Sequence, residues 1–228
     1  MDDSQQQRLL VVPGDLIETH GLKPGEGTYV EDGKVYASQL GIVAEHSGYL
    51  DVMALGGRYI PRADDEVLGL VIDLGPSHWL IDINSPYPAP LHATESPWRV
   101  EFGETSRFLD IGDVVIVKVL AVDETKRVQA TMRDQGARRI TGGQIVEVSP
   151  TKVPRVIGKG GSMITMIKNY TKCQAFVGQN GRVWIDGPIP DAIHAVRAIH
   201  MIEERAQVRG LTEAVKAYLE SAYGNRGA

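Results

Sequence analysis

The chain has 228 residues, a net charge of −5 and one cysteine. That length is enough for several small domains, and no apolar run is long enough to cross a membrane as a helix. A lone cysteine excludes an internal disulfide, and no histidine or cysteine cluster has the spacing of a zinc site.

The start, Met1 to Gln7, is acidic and polar where a secretory signal would be basic and then apolar. It reads as a frayed tail on an intracellular, cytoplasmic protein. Residues 1–61 then read as a small β domain. Leu9 to Val12 is a first strand, and Thr28 to Val30 and Lys34 to Tyr36 form a hairpin through Glu31-Asp32-Gly33. Gly41 to Ala44 and Tyr49 to Leu55 follow, closely spaced with glycine at the turns, which favours a barrel or sandwich. His20 and His46 lie in polar, turn-like contexts and read as solvated.

After the linker Gly56 to Pro61, residues 62–134 read as a second β domain. Its strands are Val67 to Ile72, Trp79 to Ile83, Ile111 to Val119 and Val128 to Met132. This region resembles an S1-type RNA-binding domain, a five-stranded OB barrel. The most specific stretch runs from Gly112-Asp113 through Asp123 and Lys126-Arg127 to Met132-Arg133. The resemblance also aligns His92 with a histidine of that family. It departs from the family where two stacking aromatics are expected, since Ser77 and Leu80 occupy those positions. Base stacking on an aromatic is worth roughly 1–3 kcal/mol, so the barrel should bind single strands weakly unless Trp79 or Tyr87 substitutes. Strand alternation leaves Trp79 as either core or platform. Arg99, Arg107, Lys126 and Arg127 are the cations available to phosphate.

The segment Gln135 to Gly143 is too short for a free tether, which implies that the flanking domains pack together. Residues 135–228 follow as a third domain. Gln144 to Val148 is a strand ended by Ser149-Pro150, and Pro154 suits the first turn of a short helix. Val156-Ile157-Gly158-Lys159-Gly160-Gly161 is a glycine loop, and Met163, Ile167 and Tyr170 continue as the apolar stripe of a helix. Gln174 to Val177 and Arg182 to Ile185 make a hairpin over Asn180-Gly181. Asp191 reads as the cap of a helix with Ala192, Ala195, Val196, Ile199 and Ile202 on one face. Gly210 reads as its stop, Thr212 as the cap of a last helix, and Asn225 to Ala228 as a frayed end. Cys173 reads as a small buried hydrophobe.

Three G-x-x-G pairs occur, about the number that 25 glycines produce by chance, and only Gly158 to Gly161 has strand and helices correctly flanking it. With its V-I-G-x-x-G pattern it resembles the loop of a KH domain of the eukaryotic-type topology. Glycine there lets backbone approach phosphate, Lys159 adds a cation, and the following helix directs N–H groups the same way. KH domains clamp about four nucleotides at such a loop. The resemblance implies RNA contact through Arg155, Ile157, Gly158, Lys159, Gly160 and Gly161, with Ile157, Ile164 and Val177 walling a groove beside the middle strand.

Charge follows the same division. Residues 1–61 carry 4 basic and 9 acidic groups, 62–134 carry 7 and 13, and 135–209 carry 11 and 5. RNA is expected to meet the basic end first.

An N-terminal β domain, then S1, then KH resembles the archaeal RNA-binding cap subunits of the RNA exosome over nearly the whole length. The stretches Trp79 to Leu91 and Ser149 to Gly158 carry the likeness. It implies a multidomain fold, mainly β plus α+β, with no catalytic residue, metal or cofactor. It also implies single-stranded RNA as ligand and three copies on a hexameric phosphorolytic ring, gripped by the N-terminal domain. A free-standing translation or ribosome-assembly factor would use the same S1 and KH parts but gives no reason for an acidic β domain poor in cations. An enzyme would need a site assembled wholly by the fold, because no Ser/His/Asp or metal-ligand spacing is present.

Overall fold

The computed structural model describes residues 9–206, 208 and 210–224. The two ends read above as frayed tails, Met1 to Gln7 and Asn225 to Ala228, lie outside the described residues, as does the side chain of His46. By compactness the chain divides into Met1–Gly57 and Arg58–Ala228. Among the described residues no helix is long and apolar enough to cross a membrane.

The first unit is built from short strands: β1 (Leu10–Val11), β2 (Leu16–Ile17), β3 (Lys23–Pro24), β4 (Thr28–Glu31), β5 (Lys34–Ala37), β6 (Gly41–His46) and β7 (Tyr49–Ala54). They form two sheets, ordered β1-β6-β7-β3 and β2-β5-β4. The two tight hairpins turn on Asp32-Gly33 (φ 49° and 73°) and Ser47-Gly48 (φ 52° and 84°). Positive φ at both central residues matches the right-handed twist of paired strands, which is why a small polar residue precedes glycine each time. Val11, Ile17, Val35, Ala37, Leu50 and Val52 supply the core.

The second unit opens with a barrel made of β8 (Glu66–Leu74), β9 (His78–Asp82), β10 (Ala89–His92), β11 (Val114–Val122) and β12 (Val128–Thr131). The order β12-β10-β9-β8-β11, closed by β11 on β12, is a complete five-stranded ring. Bulges at Ile72 and Leu120 break the register of β8 and β11 and supply the curvature that closure needs. Strand alternation sends Val67, Val71, Trp79, Ile81, Leu91, Val115 and Val117 inward. Trp79 is therefore core, fully buried, with Nε1 donating to the carbonyls of Thr105 and Leu109 at 3.2 Å each. His92 ends β10 itself. That strand escaped the pattern reading because Pro88 precedes it and Pro90 interrupts it, and proline argues against a strand.

The segment read as a plain connection contains β13 (Arg138–Ile140), which pairs with β11. Beyond it come β14 (Gln144–Glu147), α1 (Val153–Ile157), α2 (Ser162–Thr171), β15 (Gln174–Val177), β16 (Arg182–Asp186), α3 (Ile189–Glu204) and α4 (Leu211–Tyr223). The sheet order β14-β16-β15 is antiparallel throughout. Helices α1 to α4 cover it through Val153, Val156, Met163, Ile167, Ala195, Ile199, Ile202, Val215 and Leu219. Two helix ends differ from expectation. Helix α3 starts after Pro188, so Asp191 sits inside its first turn, where its carboxylate accepts from the Tyr223 hydroxyl at 2.9 Å and ties α4 down. It ends at Glu204, and Gly210 (φ 75°) instead opens α4, leaving Thr212 within the helix. Cys173 is buried, and burial pushes its thiol up.

Barrel and helical layer are locked together. Leu68 and Ile116, on the outer face of the barrel, are buried with Trp184, and each aliphatic so covered stabilises the junction by roughly 1.5–3 kcal/mol. Asn180, at the β15–β16 turn, is fully buried and reaches into the barrel. Its Nδ2 donates to Leu68 O (2.8 Å) and Ile83 O (2.9 Å). Arg182 pairs with Asp82 (2.6 Å) and Glu147 (3.1 Å). Arg138 lies over Trp184, 5.7 Å from the ring centroid, and the Trp184 indole donates to Gly142 O at 3.0 Å.

Candidate nucleic-acid interface

The alternation that buries Trp79 and Ile81 turns His78 and Leu80 outward on β9, and the one that buries Ala89 and Leu91 turns out Pro90 and His92 on β10. With Tyr87, Pro88, Leu120 and the turn after β11, these residues line an open groove of about 760 Å³. The turn brings Lys126 and Arg127 to its rim. Asp123 shapes that turn: its Oδ1 accepts from the Thr125 hydroxyl (2.7 Å) and the Arg127 N–H (2.9 Å). The Thr125 hydroxyl, with the Arg127 N–H next, holds the Asp123 carboxyl below the usual range. Lys126 takes positive φ (65°) there. An apolar floor flanked by cations suits a chain of flat bases on a charged backbone.

Three of the expected residues, His92, Lys126 and Arg127, thus share one groove. Arg99 and Arg107 do not line it; Arg99 is exposed, and Arg107 is paired with Glu104 at 2.6 Å. Leu80 lies in the groove beside Tyr87, at the place where an aromatic was missing. His78 was passed over. Once Trp79 is known to be core, alternation alone would have turned its neighbour outward.

The second feature is the glycine loop. Helix α1 stops at Gly158 (φ 75°), a single 3-10 turn spans Lys159–Gly161 with Gly160 left-handed (φ 60°), and Gly161 (φ 80°) starts α2. The glycines differ in role. A Cβ on Gly158 would stand 2.7 Å from both N and Cβ of Met163, whereas one on Gly160 would meet nothing within 4 Å. Lys159 and Arg155 are exposed. Among the described residues neither they nor Lys126 and Arg127 have an ion-pair partner. Ile157, Ile164 and Val177 are half-buried. The strand beside the loop, β15, is second in chain order but lies at the sheet edge, with β16 in the middle.

A closed OB barrel with an open cationic groove, fused to a β-α-α-β-β-α layer with a glycine turn between its first helices, defines a tandem OB and KH protein. Family models match at both ends: residues 10–44 fit the Exosome complex exonuclease RRP4 N-terminal region, and residues 143–191 fit a KH domain. The exosome complex component Rrp4 of Thermoplasma volcanium is 42% identical over 95% of this chain and 92% of its own length. That of Methanosarcina mazei is 46% identical over 93% and 82%. A crystal structure assigned to an exosome complex RNA-binding protein is similar with a TM-score of 0.65 and 38% identity, covering 72% of this chain and 97% of its own. This chain belongs to the archaeal family of exosome complex component Rrp4 proteins.

Proposed function

We propose that this chain is a non-catalytic RNA-binding cap subunit of an exosome. It captures single-stranded RNA and guides it into a phosphorolytic 3′-5′ exoribonuclease ring. The observation that carries this reading is the barrel groove, where an apolar floor meets the exposed cations Lys126 and Arg127, in the same compact unit as the glycine loop. The names of its relatives support the assembly. On this reading His92, Lys126 and Arg127 take one stretch of RNA, and Arg155, Ile157 and the loop Gly158 to Gly161 take another. Arg99 and Arg107 add outlying phosphate contacts. The three regions, 1–61, 62–134 and 135–228, divide the work, and the first grips the ring. In support, Leu10, Leu16, Val30, Leu40 and Met53 expose apolar surface in that first unit, where a protein partner would cover it. Three copies on a hexameric ring, in the cytoplasm, complete the proposal.

Native mass measurement of the chain mixed with a phosphorolytic ring tests it. Three copies should join each ring, and a fragment starting at Arg58 should fail to join while keeping most of its RNA affinity. The rigorously pure chain should not shorten RNA. Ring association by the fragment, or nuclease activity of the pure chain, would overturn these assignments.

A further inference from the structure

His78 and His92 stand directly opposite each other on β9 and β10 in the antiparallel register. Side chains so placed have Cβ atoms about 4.5–5.5 Å apart, and both rings line the groove. They are held differently. The Thr94 N–H donates to Nδ1 of His92 at 3.2 Å, and the Thr94 hydroxyl lies 2.8 Å from the same nitrogen. Nδ1 is thereby an acceptor, so the neutral ring carries its proton on Nε2, as a donor. His78 has no such partner among the described residues. Its ring lies against Gly75, where an added Cβ would overlap the imidazole, so the absence of a side chain at 75 gives the ring its seat. The other charged or titratable groups on the groove are Tyr87, Glu95, Lys126 and Arg127. Neither histidine is ion-paired with a carboxylate among the described residues; the histidine pairs present involve His20 and His200.

Two adjacent imidazoles that both became cations would repel, unless an anion sat between them. We infer that His78 and His92 together hold one backbone phosphate of the bound single strand, His92 as a neutral Nε2 donor and His78 as an imidazolium that takes up a proton as the phosphate arrives. This rests on the RNA-binding reading above. It adds His78 as a ligand-contacting residue and a proton-linked way of holding RNA where stacking aromatics are missing. The sign follows from charge. A phosphate anion favours the protonated imidazole, and imidazole changes charge between about pH 5 and 8, so affinity rises as pH falls through that range. His92 contributes through its Nε2 donor, its Nδ1 being already engaged as an acceptor.

The test is the affinity of the full chain for a short fluorescent oligouridylate, measured by anisotropy from about pH 5 to 8 at constant ionic strength. The wild type should tighten by about tenfold towards acid. His78→Gln and His78→Phe should both flatten the profile and match the wild type at the alkaline end. His92→Gln should weaken binding at all pH values and keep the slope. Gly75→Ala, which displaces the His78 ring without removing a titratable group, should also flatten it, with thermal melts reporting that each variant is folded. A flat wild-type profile, or a slope that survives His78→Gln, overturns the inference while the RNA-binding reading stands. Acid-side affinity fully retained in His78→Phe would also overturn it, assigning the ring to base stacking. No binding by the folded wild type at any pH removes both.

Discussion

Asn180 commits its side-chain amide nitrogen to the neighbouring barrel. Its Nδ2 serves two carbonyls, those of Leu68 and Ile83, while Oδ1 faces the Leu68 N–H at 3.4 Å. Removing it strands these groups without water, and an unsatisfied buried polar group costs about 1–3 kcal/mol. Asn180→Ala should therefore lower stability by about 2–3 kcal/mol, read from urea unfolding. Asn180→Asp should be worse, because it sets a carboxylate oxygen against two carbonyl oxygens. A shift below about 0.5 kcal/mol in both, the range of surface substitutions, would mean that the junction does not depend on this residue. Sequence reasoning placed Asn180 correctly in a hairpin turn, and Gly181 there does take positive φ (82°). It stopped at that point because Asn-Gly already satisfies the local rules of a turn. Nothing local marks a side chain whose partners lie 97 and 112 residues away.

At the scale of elements, the glycine loop joins two helices through three positive-φ residues, Gly158, Gly160 and Gly161. Gly158→Ala meets both the backbone and the side chain of Met163, at φ 75° and ψ 172°, a region open essentially to glycine alone. Gly160→Ala meets only the left-handed penalty of about 1–2 kcal/mol. Thermal melts should show Gly158→Ala as clearly the more damaging. Equal shifts would mean that the loop relaxes around either one. The loop was legible because its flanking strand and helices follow period and turn chemistry, as were most strands of the barrel. Strand β10 was hidden by its prolines and β13 by its shortness. The cap of α3 was misplaced by three residues because Asp191 looked like a capping side chain, whereas its carboxylate serves Tyr223. Trp79 shows the limit from the other side. An exposed platform and a buried indole fit the same sequence position, and only the Thr105 and Leu109 carbonyls waiting inside the barrel decide between them.

For the whole molecule, net charge conceals the partition that matters. Residues 62–134 are acidic overall, yet Lys126 and Arg127 are delivered to the rim of one groove by the turn that Asp123 organises. The basic third region carries Arg155 and Lys159 exposed on and beside the glycine loop. Because Asn180, Arg182 and Trp184 fasten the two parts together, groove and loop are presented by one compact unit, which spares a bound strand the cost of ordering a linker. On the proposed function, RNA runs over these two places, with Arg99 and Arg107 as outlying contacts. Photocrosslinking of uniformly labelled single-stranded RNA to the full chain, with cross-linked peptides located by mass spectrometry, tests it most directly. Cross-links should concentrate on peptides containing His78 to His92, Lys126 to Arg127 and Arg155 to Gly161, and Lys159→Asp with Gly160→Asp should remove the third set while leaving the first two. Cross-links confined to residues 9–57 or to α4, with the groove and loop peptides unmodified, would contradict it.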